Sequence, residues 1–287
     1  MAGRAGRVAV VTDSTAGLAV PVAQQHGIEV VPLRVTLGRR VVTDGVDVDA
    51  RDLLAALREK LPVSTSRPTP DEFAARYRRL LDAGATHVVS VHLSSALSGT
   101  WESAVLASQD FDYGQVRVVD SRSTAMALGF AVLAAARRAE TGGTAAEVQG
   151  AAVSVVDETR TLFYVDTLEH LRRGGRVGSA AALFATTLAV KPLLQLVEGQ
   201  IVAVEKVRTS TKALARLEAL AVAIAGAREV DIAVHHLAAA ERAEGLADRL
   251  RRTVPGAREV AVSELGPVLG AHLGPGAVGV VVAPAAA

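Results

Sequence analysis

The chain has 287 residues, half of them hydrophobic, with 31 basic against 30 acidic side chains and a net charge of +1. That composition supports a substantial core, excludes gross disorder, and gives no overall electrostatic footprint for nucleic acid or an anionic membrane. There is no cysteine, so disulfides, thiol catalysis and thiolate-built zinc sites are excluded.

In chain order, the start MAGRAGRVAVVTDS has too short an apolar run for a secretory leader. No stretch approaches the roughly 20 apolar residues of a bilayer span. The expected location is the cytoplasm, with membrane contact at most transient. Arg7–Thr12 reads as a short strand running into Asp13-Ser14-Thr15. Pro21 suits the first turn of a helix and Gly27 its C-cap. IEVVPLRVTL and RRVVTDG read as strands around Gly38, and DARDLLAALREK as an amphipathic helix. Thr69-Pro70-Asp71-Glu72 is a capping box with proline at the first helical position. The helix it opens puts Phe73, Tyr77, Leu80 and Leu81 on one face and stops at Gly84. A strand (THVVSVHL), a helix (WESAVLASQDF) and a strand (QVRVVDS) follow. Thr124 to Glu140 is a long Ala-rich helix, and Thr144 with Glu147 opens another that runs to about Asp157.

This alternation predicts a mainly parallel, three-layer α/β/α N-terminal domain over residues 1–158. Residues 159–287 predict a mixed-sheet α/β C-terminal domain. Its pieces are the strand TLFYVD, the helix TLEHLRR stopped by Gly174-Gly175, the segment SAAALFATTLAV, and a hairpin turning at Glu198-Gly199. A helix over Thr211–Ala225, the strand VDIAVHHL, a helix over Ala239–Arg252 and the strand AREVAVSEL come next. A Gly-rich loop over Gly266–Gly276 and the strand AVGVVVAP close the chain.

Three hydroxyl-rich stretches, Asp13-Ser14-Thr15, Ser64-Thr65-Ser66 and Ser94-Ser95, follow predicted strands. Open parallel sheets bind ligands beyond those strand ends, where hydroxyls and helix N-termini seat a carboxylate or phosphate. The competing reading is ordinary N-caps and turns, which Ser and Thr also favour. His272 stands among four glycines and two prolines, a backbone that permits close approach to a ligand and fixes the imidazole. It is either a donor to a carboxylate or an incidental side chain on a tight turn. His87, His92, His235 and His236 read as incidental strand residues. No carboxylate stands at ligand spacing, so no metal site or cofactor is expected. Arg172-Arg173-Gly174-Gly175-Arg176 reads as a basic last turn suited to the helix dipole. Alternatively it forms a lip for a phosphate-bearing partner, extended by Lys206, Arg208 and Lys212.

No P-loop, nucleophile elbow or dinucleotide fingerprint is present. Asp13 has the place of a phosphotransfer aspartate, but Thr15 stands where a second carboxylate would be needed. A hydrolase pairing Ser94 or Ser95 with His272 has no visible third, orienting residue. The enzyme alternative is therefore a serine hydrolase or phosphotransferase acting on a small acyl or phosphate ester.

Taken together, VVTDSTAGL, STSRPTPDEF, SVHLSSALSGTWESA and VVDS, then DTLEHLRRGGRVGSAAAL, KPLL, KVRT and LGPVLGAHLGPGAVG, span nearly the whole chain in order. In that order they resemble the DegV family of bacterial fatty-acid-binding proteins. The resemblance implies a two-domain α/β carrier that is not an enzyme. It would bury a long acyl chain and present the carboxylate to a separate fatty acid kinase, as in phospholipid metabolism. It further implies a carboxylate held by Thr65, Ser66 and Ser94 or Ser95 with His272, and Arg176 and Arg208 at the mouth or the partner surface. Two positions depart from the family pattern. Leu273 follows the motif histidine where the family usually has threonine, and Trp101 follows Ser-Gly-Thr where it usually has tyrosine.

Overall fold

The computed structural model describes residues 6–178, 180 and 191–285. The segment SAAALFATTLAV lies outside the described residues except for Ala180. In chain order the elements begin with β1 (Val8–Asp13), a short turn of 3-10 helix at Ser14–Ala16, α1 (Val20–Gln25) and β2 (Glu29–Val31). The hairpin of β3 (Arg34–Leu37) and β4 (Arg40–Thr43) leads to α2 (Ala50–Arg58) and β5 (Val63–Ser66). Then come α3 (Pro70–Asp82), β6 (His87–His92), α4 (Thr100–Ser108), β7 (Val116–Asp120), α5 (Ala125–Glu140) and α6 (Ala145–Glu158). The second half holds β8 (Arg160–Tyr164), α7 (Glu169–Arg173), β9 (Lys191–Val197), β10 (Gln200–Val207) and α8 (Ser210–Ala225). It closes with β11 (Val230–His236), α9 (Ala240–Thr253), β12 (Ala257–Glu264), α10 (Pro267–Leu273) and β13 (Val278–Pro284).

These elements form two units, Met1–Arg34 with Ser66–Asp157, and Val35–Thr65 with Glu158–Ala287. The single division near residue 158 expected from the sequence therefore describes one of three chain crossings. Residues Val35–Thr65 leave the first unit's sequence to join the second. The edge strand β2 ends at Val31, before Pro32, which has no N–H to offer a ladder, and the first unit's segment ends at Arg34.

The first unit carries a parallel sheet in the order β2-β1-β6-β7. Every residue of β1 (VAVVTD) is buried, as an apolar run inside a sheet covered on both faces requires. Val8 and Val10 of β1 pack with Val89 and Val91 of β6 against Leu128, Val132 and Ala135 of α5 and Val148 of α6. The alternate residues Ala9, Val11 and Val88 face Phe73 and Tyr77 of α3 and Ala104 of α4. Period-two alternation thus builds the three layers. The capping boxes predicted at Thr69–Glu72 and Thr144–Glu147 are both formed.

The second unit carries a mixed sheet in the order β10-β9-β8-β13-β11-β12, in which β11 and β12 are parallel and the other pairings antiparallel. α8 and α9 cover one face, with Ala243, Leu246, Ala247 and Leu250 forming the apolar stripe of α9. The β9–β10 hairpin turns at Glu198 and Gly199, both at positive φ, as its two-residue loop demands. A small sheet in the order β4-β3-β5 completes the elements.

Two local expectations are corrected. Ser64-Thr65-Ser66 lies within β5 rather than in a loop beyond a strand. The Gly-rich stretch around His272 contains the helix α10, started by Pro267 at its first turn. Gly270 inside that helix reflects crowding, because a methyl group there would lie 2.6 Å from Cδ2 of Leu53.

Candidate functional site

In the first unit the hydroxyl-rich strand ends are tied down by hydrogen bonds. Wholly buried Asp13 accepts from the Thr15 amide (3.0 Å) and the Thr15 hydroxyl (2.6 Å) through Oδ1. Its Oδ2 accepts from the Leu93 amide (3.0 Å) and from Nδ1 of His92 (3.0 Å). Nε2 of His92 then faces the Ser90 hydroxyl at 2.6 Å, and Tyr77 donates its hydroxyl to Ser90 at 2.8 Å. One proton arrangement satisfies the whole chain: Tyr77 to Ser90, Ser90 to His92, His92 to Asp13. Burial pushes the Tyr77 phenol above its ordinary range, which keeps it a donor.

This is the order of partners in a serine hydrolase, but Ser90, His92 and Asp13 are all fully buried. The network pins the ends of β1 and β6 together and leaves no path for a substrate. Asp13 likewise has no free oxygen for phosphotransfer. His92, expected to be an incidental strand residue, is instead the centre of this network. Its signal was the spacing of Ser90 and His92, two apart on one face of a strand.

Ser94 is buried and its hydroxyl accepts from the Ala96 amide at 3.2 Å, while its own amide donates to the Ser123 carbonyl at 2.8 Å. Ser95 donates its hydroxyl to Asp120 at 2.6 Å. Ser98 and Thr100 bond each other at 2.9 Å. Ser66 is exposed at the end of β5.

The second unit brings Thr65, His272 and Arg176 together. Thr65 projects from β5 so that its Oγ1 lies 2.8 Å from Nε2 of His272, in the last turn of α10. Both line a cavity of about 140 Å³ with Ser64, His170, Arg173 and Arg176. Arg176 donates Nη1 to the Gly174 carbonyl at 2.5 Å and stays half-buried. Burial, and secondarily the Arg176 charge, holds the His272 imidazole down to about 4, so it is neutral near pH 7. Its Nδ1 is buried without a hydrogen-bond partner. With the ring proton on Nε2, His272 donates to Thr65 and the Thr65 hydroxyl hydrogen is available to an anion. Arg176 supplies positive charge beside it. Arg208 is exposed just past β10 and is not among the residues lining this cavity.

A larger cavity in the same unit, about 460 Å³, is lined by Asp47, Asp49, Asp52 and Glu264. Its charge is wrong for a carboxylate, whereas the smaller one is basic. Among the described residues, no group of three or more His, Asp or Glu is placed to hold a metal ion. None of the described helices is long and apolar enough to cross a membrane.

The family model described as "Uncharacterised protein, DegV family" matches residues 7–285. A DegV domain-containing protein of Streptomyces coelicolor is 55% identical over 275 residues, covering 96% of this chain and 98% of the relative. Among solved structures, the chain resembles a fatty-acid-binding DegV family protein from Thermus thermophilus with a TM-score of 0.93 and 33% identity. That match covers 97% of this chain and 100% of the other. It also resembles DegV, a fatty acid binding protein from Bacillus subtilis, with a TM-score of 0.89 and 32% identity, covering 98% and 100% of the two chains.

Proposed function

The chain belongs to the DegV family, and on that premise we propose that it binds a long-chain fatty acid with the carboxylate held at Thr65 and His272. The observation that carries this reading is the Thr65–His272 hydrogen bond inside a cavity that Arg173 and Arg176 make basic. Each buried methylene contributes about 0.8 kcal/mol, so an apolar tunnel around roughly fifteen of them gives an upper bound near 12 kcal/mol. Association takes back several kcal/mol. The tail therefore supplies the affinity, and the head group must be paired because an uncompensated buried carboxylate is very costly. The Thr65 hydroxyl and the Arg176 charge meet that need.

The head group is assigned to Thr65 and His272 and not to the serines named with them. Ser95 gives its proton to Asp120, whose charge would also repel an anionic guest. Ser66 is exposed. The protein, placed in the cytoplasm, runs no catalytic cycle of its own. A separate fatty acid kinase phosphorylates the presented carboxylate and docks at Arg176 and the exposed Arg208.

The test compares palmitate with its methyl ester in displacement of a fluorescent fatty acid. The wild type should favour the acid at least tenfold, and Thr65→Val should erase that preference while still binding both. Equal affinity for acid and ester in the wild type would refute the head-group assignment. Ester hydrolysis by the purified protein that vanishes in Ser94→Ala or Ser95→Ala would replace the carrier with the hydrolase.

A further inference from the structure

Two histidines in the second unit sit in seats made by each other's glycines. The His272 ring lies against Gly174, the residue that ends α7, so that a methyl group there would be 2.2 Å from Nδ1. The His170 ring lies against Gly274, the residue that ends α10, where a methyl group would be 2.3 Å from Cδ2. Each helix thus presents its histidine to the glycine that terminates the other. Gly174 has an ordinary helical φ of −75°, so nothing in its own backbone demands glycine. The demand comes from the imidazole of His272. Gly274 donates its amide to the Gly270 carbonyl at 2.8 Å, closing the last turn of α10, and the His170 ring presses on that closure.

We propose that His170 is a positioning residue for the head group: seated on Gly274, it fixes the last turn of α10 and thereby the reach of His272 to Thr65. This deepens the carboxylate reading above and rests on it. His272 is bounded by Thr65 at Nε2 and by the Gly174 backbone at Nδ1. A small rotation of α10 would break a hydrogen bond that tolerates only a few tenths of an ångström. His170 lines the same cavity, so its loss also admits water to the His272 ring. The charged and titratable groups around the pair are Glu169 and Arg173 on α7 and Arg176 beyond it.

The experiment uses the full chain with His170→Ala and His170→Phe. Palmitate affinity is read by displacement of a fluorescent fatty acid, and the His272 imidazole titration by nitrogen NMR. His170→Ala should weaken palmitate at least fivefold and move the His272 titration up by a pH unit or more. His170→Phe restores a ring on Gly274 and should recover affinity to within twofold of the wild type. Gly174→Ala, a steric wedge chiefly against His272, should mimic His170→Ala. An unchanged His272 titration in His170→Ala, or no recovery with a folded His170→Phe, overturns the proposal. If the wild type binds no palmitate, the carboxylate reading fails instead, and the titration of His272 still decides the role of His170.

Discussion

At the scale of single residues, burial sets the chemistry. His272 and His235 are both held down to about 4, chiefly by burial, and His170 is lowered in the same direction. Unfolded, each would titrate near 6.5. Between those values the unfolded chain binds more protons than the folded one, so stability falls as pH drops from about 6.5 toward 4. For His272 and His235 the loss is at most about 3.5 kcal/mol each, taking about 1.4 kcal/mol per pH unit. Glu72, held to about 2 first by its Arg34 partner, loses its contribution only below about 4.5, which leaves the histidine window clear. Urea unfolding between pH 7 and 4.5 should show this decline, with a shallower slope in His235→Asn. A flat profile would mean that these rings take up protons while folded.

The same reasoning separates the buried Asp13–His92–Ser90 series from catalysis. Tyr77→Phe removes the donor to Ser90 inside a sealed core and should cost about 1–3 kcal/mol, measured as a lower urea midpoint. Fatty-acid affinity should stay within twofold. A lost hydrolytic activity in that variant would instead make the series a working triad.

At the scale of elements, what was legible depended on whether the signal was local. Thr69 and Glu72 announce the start of α3 because a capping box is read entirely within four residues. Thr69→Ala, which removes the acceptor of the Glu72 amide, should cost about 1 kcal/mol and lower the melting temperature by roughly 2–4 °C. An unchanged melting temperature would show that α3 is held by packing alone. By contrast, the glycines around α10 look like turn residues and suggest a loop where a helix forms. Gly270 is there for the side chains of Leu53 and Leu237, and Gly174 for a histidine nearly a hundred positions away. Such glycines report tertiary crowding, which no local pattern carries. Thr65 was named from a motif, yet its partner contact spans the sequence separation between β5 and α10. Resemblance to a family could reach that pairing, whereas periodicity could not.

At the scale of the molecule, alternation of strands and helices gave the layered sheet of the first unit, and the change of pattern after residue 158 marked the second. The transfer of Val35–Thr65 into the second unit was not legible, because β3, β4 and β5 have the same local pattern whichever sheet receives them. That transfer delivers Thr65 to the unit that holds His272, the pair at which the carboxylate is proposed to sit. The most direct measurement is the lipid carried by the purified protein. Denaturing extraction and mass spectrometry should recover about one long-chain fatty acid per chain from the wild type and little from the Thr65→Val, His272→Ala double variant. No fatty acid in the wild type, or the same amount in the double variant, would contradict the account.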